Sequence, residues 1–200
     1  MTDARFEAPR GTEPRGNASL FWGLITGVVV ADVVTKWLAV RSLVPQRLPH
    51  EVLGDVVRLT LVYNPGAAFG LHLGPFSRWI FMLLTFGALA VLWRLFRATR
   101  AGELARTLAL GLVCGGAIGN LIDRIRSAQG VVDFIDVGIG DWRWPTFNVA
   151  DMAVSTGAFL LAWVLWGEDR RAAIAAESAE PGAAGAPAAP ATATVPPDLR

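Results

Sequence analysis

Carboxylates set among apolar residues define the chemistry open to this chain. Asp133 stands in Val131-Val132-Asp133-Phe134-Ile135-Asp136, and Asp151 closes Phe147-Asn148-Val149-Ala150-Asp151. Ionisable groups beside membrane-length apolar runs are costly, and such groups are functional candidates by default. Two nearby carboxylates can hydrolyse an amide. Like charges about 3 Å apart resist double ionisation, so one member takes a proton from water while its protonated partner supports the carbonyl oxygen. The residues alone leave the pair open. In an extended run Asp133 and Asp136 point to opposite faces, and the apolar surroundings of Asp133 favour a raised pKa. Asp151, three residues after Asn148, also fits a capping box in which an acidic group meets the positive end of a helix dipole. Asp123 and Asp32 complete the set.

Other hydrolytic schemes fit poorly. No Gly-x-Ser-x-Gly elbow and no His-Glu-x-x-His helix occurs. His50 and His72 are the only histidines, so no metal site and no cofactor is expected. Cys114 is the single cysteine, which rules out an internal disulfide and leaves it a small buried side chain. Lys36 is the single lysine, with Ser42 its nearest serine, and nothing else supports a serine-lysine pair. A net charge of +1 without a basic face gives no case for nucleic acid.

The elements that must position these groups are membrane helices. The chain has 200 residues, 53% of them apolar, and eight tryptophans. A bilayer crossing takes roughly 20 mostly apolar helical residues, and four stretches qualify: Leu20 to Val40, Trp79 to Phe96, Leu104 to Ile122 and Val149 to Trp166. The expected fold is an all-α membrane protein of four transmembrane helices, with a small extracytoplasmic β element between helices one and two. The first run carries Asp32 and Lys36 with no small-residue cleavage pattern after it, so it reads as a retained helix. Arg94, Arg97, Arg100 and Arg106 crowd the second connection, Arg15 precedes helix one, and Arg170 and Arg171 follow helix four. The positive-inside rule makes those segments and both termini cytoplasmic. The first and third connections then face outward. Trp37, Trp79, Trp142 and Trp144 fall at or beyond the outer helix ends, as an aromatic belt would. Residues 17–169 form one membrane domain, while 1–16 and the Ala/Pro-rich 170–200 read as disordered cytoplasmic segments.

Smaller patterns refine the frame. Val57 to Tyr63 alternates as a half-buried strand, with Arg58 and Thr60 on its second side. It leads into Asn64-Pro65-Gly66-Ala67-Ala68-Phe69-Gly70, either a site for close backbone approach or an ordinary reversal. Gly111, Gly115 and Gly119, with Gly116 beside them, form a packing stripe on helix three. The stripe ends at Asn120, Asp123 and Arg124, where an interfacial ion pair would anchor the helix end. Asp32 and Lys36 share a face of helix one, with Lys36 close enough to the outer surface to snorkel.

Together these motifs resemble the lipoprotein signal peptidases, or signal peptidase II. The resemblance rests on Asp32 with Thr35-Lys36, Asn64-Pro65-Gly66-Ala67-Ala68-Phe69, Gly115 through Arg124, Val131-Val132-Asp133-Phe134 and Phe147 through Asp151. It covers about residues 20 to 166. It implies an aspartic endopeptidase of the bacterial inner membrane that removes signal peptides from prolipoproteins, cutting before a diacylglyceryl-modified cysteine. Membrane lipid and these modified precursors are the implied partners. The resemblance places the catalytic pair on Asp133 and Asp151, and the substrate-binding or site-supporting groups on Asp32, Asn64, Asn120, Asp123, Arg124 and Asn148. Pro65 differs from that pattern without touching a catalytic position. The alternative from another class is a small proton-coupled transporter or membrane scaffold.

Overall fold

A computed structural model of the chain describes residues 15–68, 71–72 and 74–179. Its helices are α1 (Arg15–Ser42), α2 (Ser77–Ala98), α3 (Leu104–Arg126) and α4 (Val149–Ala179). All four are long and apolar enough to cross a membrane. The chain divides into two compact units at Val164, and the described part of the second is helical. α4 runs beyond Trp166, through the Glu, Arg and Ala residues up to Ala179, because these are strong helix formers that need no apolar face. The remaining terminal residues, 1–14 and 180–200, lie outside the described part.

α3 is the central helix, and its glycines explain why. A Cβ on Gly115 would meet Val28 of α1 at 2.8 Å, and one on Gly116 would lie 2.3 Å from the Ala150 carbonyl oxygen of α4. Each missing side chain lets a neighbouring backbone approach, as the stripe predicts. Gly157 of α4 answers with the same device against Val113 and the Ala109 carbonyl. At the far end of the bundle from the site, Phe21 stacks on Phe96 at 3.8 Å amid Ile25, Leu92, Leu110 and the buried Cys114.

The β structure exceeds the expectation, since the third connection contributes two strands to the sheet as well. β1 (His50–Leu53), β2 (Val57–Asn64), β5 (Val131–Ile139) and β6 (Trp142–Arg143) form one antiparallel sheet in the order β1-β2-β5-β6. β3 (Ala67–Ala68) and β4 (Leu71–His72) pair separately. The alternation read for Val57 to Tyr63 breaks midway. Leu59 pairs with Ile135 but Val62 with Asp133, so an irregularity inserts one residue on β2. It turns Leu61 and Tyr63 to the face opposite Leu59 and seats Leu61 with Val132 and Phe134 against Ala39 and Leu43 at the end of α1. That cluster fixes the sheet to the bundle.

Candidate active site

β5 presents Asp133 and Asp136 to opposite faces, as its period requires. Asp136 is consumed structurally: Arg143 Nε and Nη2 both lie 2.8 Å from its Oδ1, and the Thr60 hydroxyl donates to its Oδ2 at 3.1 Å. Asp133 turns to the junction of α3 and α4. There the Asn148 side-chain amide donates to Oδ1 at 2.7 Å and the Asn64 amide to Oδ2 at 3.2 Å.

Asn148 joins the two carboxylates. Its backbone N–H donates to Asp151 Oδ2 at 3.2 Å, while its Oδ1 accepts from the Asp151 N–H at 2.9 Å. This is the capping box expected from the sequence, and it coexists with a site role. Starting a helix on Asn148 holds Asp151 beside the strand that carries Asp133. The Asn120 amide donates to Asp151 Oδ1 at 2.7 Å. Burial pushes the Asp133 carboxyl up to about 7, and the Asp151 charge adds to the rise, against N–H donation from Asn64 and Asn148 and the Lys36 charge.

Lys36 is the residue that the sequence reading placed wrongly. It is 3% exposed and does not snorkel. Its ammonium lies 2.8 Å from Asp32 Oδ2, 2.8 Å from Asp123 Oδ2 and 2.9 Å from Asn120 Oδ1, so its three donors meet three acceptors. Two neighbouring carboxylates compensate the buried charge far more effectively than a reach to the surface. Lys36 also fixes the Asn120 amide. With Oδ1 held as acceptor by Lys36 and by Asn148 at 3.1 Å, the Asn120 nitrogen must face Asp151. Identical i,i+4 spacing on α1 was visible in the sequence, but the partner across the bundle was not.

The remaining expected residues also gather here. Asp32 accepts from the Ala150 N–H at 2.9 Å, which ties α1 to the first turn of α4. A Cβ on Gly119 would lie 2.6 Å from Asp32 Oδ2, so the last step of the glycine stripe houses a carboxylate rather than a helix ridge. Asp123 is paired with Lys36 and accepts from the Val132 N–H at 3.2 Å, which replaces the expected ion pair with Arg124. Adjacent residues on a helix point about 100° apart, and Lys36 occupies the inward position. Arg124 donates from Nη1 to the Asn120 carbonyl at 3.2 Å, feels the charges of Asp151, Asp133 and Asp123, and keeps a buried Nε without a partner. Asn64 accepts from the Gly66 N–H at 3.1 Å. The turn after it is tight because Gly66 adopts φ +117° and a Cβ there would meet Ser77 at 2.9 Å. Of this turn, Phe69 and Gly70 lie outside the described residues. No cluster of three or more metal-ligating side chains occurs among the described residues.

Four spans with paired carboxylates at the seam between bundle and sheet make the architecture of a multi-pass membrane enzyme. Two solved bacterial membrane enzymes share the fold. One, determined by the in meso method at 1.9 Å, has a TM-score of 0.65 at 30% identity, over 74% of this chain and 93% of that one. Another, at 2.3 Å, has a TM-score of 0.67 at 29% identity, over 76% and 90%. The chain belongs to the signal peptidase II family, whose model, described as Signal peptidase (SPase) II, matches residues 24–167. Its curated relatives include lipoprotein signal peptidases of Nitratidesulfovibrio vulgaris, 42% identical over 69% of this chain and 84% of the relative, and of Rhodococcus jostii, 46% over 69% and 68%. That of Mycolicibacterium smegmatis is 41% identical over 84% and 71%. The activity is accordingly that of a signal peptidase, a protease, and the transporter or scaffold alternative is not favoured.

Proposed function

We propose that the chain is an aspartic endopeptidase that cleaves prolipoproteins immediately before a diacylglyceryl-modified cysteine, with Asp133 and Asp151 as its catalytic pair. The observation that carries this reading is the convergence on Asn148, which hydrogen-bonds Asp133 with its side chain and Asp151 with its backbone. An Asp133 carboxyl at about 7 is suited to hold the shared proton near neutrality. The proton is a property of the coupled pair, and Asp133 is its resting place.

In the first step Asp151 takes a proton from water as the water oxygen attacks the scissile carbonyl carbon, while Asp133 donates its proton to the carbonyl oxygen. The tetrahedral diol then collapses. Asp151 passes its proton to the amide nitrogen, the C–N bond breaks, and Asp133 recovers its proton from the re-forming carboxyl. Asn64, Asn120 and Asn148 hold both carboxylates in place, Lys36 holds Asn120 and is itself held by Asp32 and Asp123, and the Arg124 guanidinium is assigned to the substrate backbone. Both termini are assigned to the cytoplasm and the site to the extracytoplasmic side, which the arginines of the second connection support. The membrane domain is assigned to residues 17–169.

Purified protein incubated with a lipid-modified precursor peptide tests the assignment. Cleavage should yield a product beginning at the modified cysteine and should vanish in Asp133→Asn and in Asp151→Asn with folding intact. Full activity in either variant overturns the pair, and equal cleavage of the unmodified peptide overturns the lipid selectivity. Impermeant reagents should fail to reach tags on either terminus in intact cells.

A further inference from the structure

The first turn of α2 meets the site from two sides. On one side it backs the turn that carries Asn64: a Cβ on Gly66 would lie 2.9 Å from Ser77 Cβ and 3.2 Å from the Phe81 ring. Ser77 is buried, and its hydroxyl donates to the Gly74 carbonyl at 2.8 Å, which fixes the start of the helix. On the other side the same turn grips the end of α3. Arg78 donates from Nε to the Arg124 carbonyl at 2.6 Å and from Nη2 to the Ile125 carbonyl at 3.2 Å. The Arg124 guanidinium in turn lies over Phe81, 5.5 Å from the ring centroid, within the range of a cation–π contact.

Helix geometry explains why an arginine does this. The last four carbonyls of a helix have no partner within it. In α3 the Ser127 N–H takes the Asp123 carbonyl at 2.8 Å, and Arg78 takes the next two. A planar guanidinium presents its N–H groups as a fixed fork, whereas an ammonium is a point charge, and either cation opposes the negative end of the helix dipole. The Trp79 ring, 5.4 Å from the Arg78 guanidinium carbon, limits its swing. Arg124 is thereby held at its backbone by Arg78 and at its guanidinium by Phe81 and the Asn120 carbonyl, with its Nε buried. Arg78 itself hydrogen-bonds backbone of α3 and neither carboxylate of the pair.

We propose that Arg78 is a positioning residue for the reaction. From 46 positions away in the chain it sets where α3 ends, and so where the Arg124 guanidinium stands relative to Asp133 and Asp151. Phe81 sets the tilt of that guanidinium. Because Ser77 and Phe81 also seat the Gly66 turn, one turn of α2 aligns the Asn64 donor to Asp133 with the arginine that meets substrate. This rests on the proposed contact between Arg124 and substrate backbone.

Full-length protein carrying isotope-labelled arginine, in detergent micelles, reports this geometry without relying on catalysis. The Arg124 Nε–H signal is the one lost in Arg124→Lys, and as a buried group it should exchange slowly with solvent in the wild type. Arg78→Met should speed that exchange several-fold and lower kcat/KM for lipopeptide cleavage by about 10- to 100-fold. Arg78→Lys covers the case in which the Met variant fails to fold. It keeps a cation at the end of α3 but lacks the fork, so its thermal midpoint should stay near wild type while exchange and kcat/KM move as for Met. In an Arg124→Lys background Arg78→Lys should cost nothing further, because its effect travels through Arg124. Arg97→Met, at the other end of α2, should change none of these quantities. Unmoved exchange in the Arg78 variants overturns the proposal, and so do losses in kcat/KM that add in the double variant. Full activity in Arg124→Lys overturns the substrate role of Arg124 and the proposal with it. Wild-type protein that cleaves no lipopeptide overturns the assigned reaction, while exchange still decides whether Arg78 holds Arg124.

Discussion

Asn148 serves both carboxylates at once, so shortening it separates helix capping from support of Asp133. Asn148→Ala removes the acceptor for the Asp151 N–H, worth about 1 kcal/mol as a cap. It also removes the side-chain donor 2.7 Å from Asp133 and 3.2 Å from the Val132 carbonyl, at a buried site. Each buried acceptor left unsatisfied costs about 1–3 kcal/mol, so with two acceptors and the cap the loss in unfolding free energy should reach about 3–7 kcal/mol. Asn148→Ser keeps a capping hydroxyl but is too short to reach Asp133, and should recover about 1 kcal/mol of that loss. Its activity should not recover. A hydrogen bond to a charged partner contributes about 1.5–3 kcal/mol, which corresponds to a drop in kcat/KM of about 10- to 150-fold in both variants. The pH profile supplies a further check. N–H donation favours ionised Asp133, so without it the carboxyl climbs above its value of about 7 and the corresponding limb of the kcat/KM profile moves to higher pH. Lipopeptide cleavage across pH, with denaturation in detergent, measures all three quantities. Unchanged kcat/KM and an unmoved limb in both variants would refute the reasoning, as would a Ser variant that regained activity together with stability.

Asp133→Asn should be more stable than wild type at pH 8. The wild-type carboxyl rises from about 3.9 in an unfolded chain to about 7 in the fold. Its stabilising contribution is therefore complete below about pH 4 and is lost as pH rises through 7, a swing on the order of 4 kcal/mol; thermal midpoints that fail to converge towards pH 4 would contradict the buried pair. Lys36→Met should destabilise by about 3–5 kcal/mol, because it strands the Asp32 and Asp123 charges, and adding Asp32→Asn should restore part of the loss in a double-mutant cycle. Gly119→Ala drives a Cβ to 2.6 Å from Asp32 Oδ2 and should cost about 1–3 kcal/mol, with a fall in kcat that Gly23→Ala, open on its helix surface, does not share.

Local periodicity made the helices legible. Runs of roughly 20 apolar residues need no tertiary partner to announce a span, and α1 to α3 begin and end within a few residues of the expectation. The capping box at Asn148 and the glycine stripe were likewise written in the order of neighbouring residues, because both follow from backbone geometry within a turn or two. α4 outran its apolar stretch furthest, since helix propensity continued where hydropathy stopped.

The pairing of distant groups was not legible locally. Asp133 and Asp136 were equivalent in the sequence until β2 and β5 set their register, after which Arg143 and Thr60 occupied one and Asn64 and Asn148 the other. Lys36 read as a snorkelling cation because its local partner Asp32 gave no hint of Asp123 and Asn120 across the bundle. The sequence by itself determined the spans, the capped start of α4 and, through resemblance, which aspartates to suspect. The tertiary structure alone decided which carboxylate is buried against which donor, because desolvation and charge pairing act over a few ångströms of space between residues up to 118 positions apart in the chain, as Asp32 and Ala150 are.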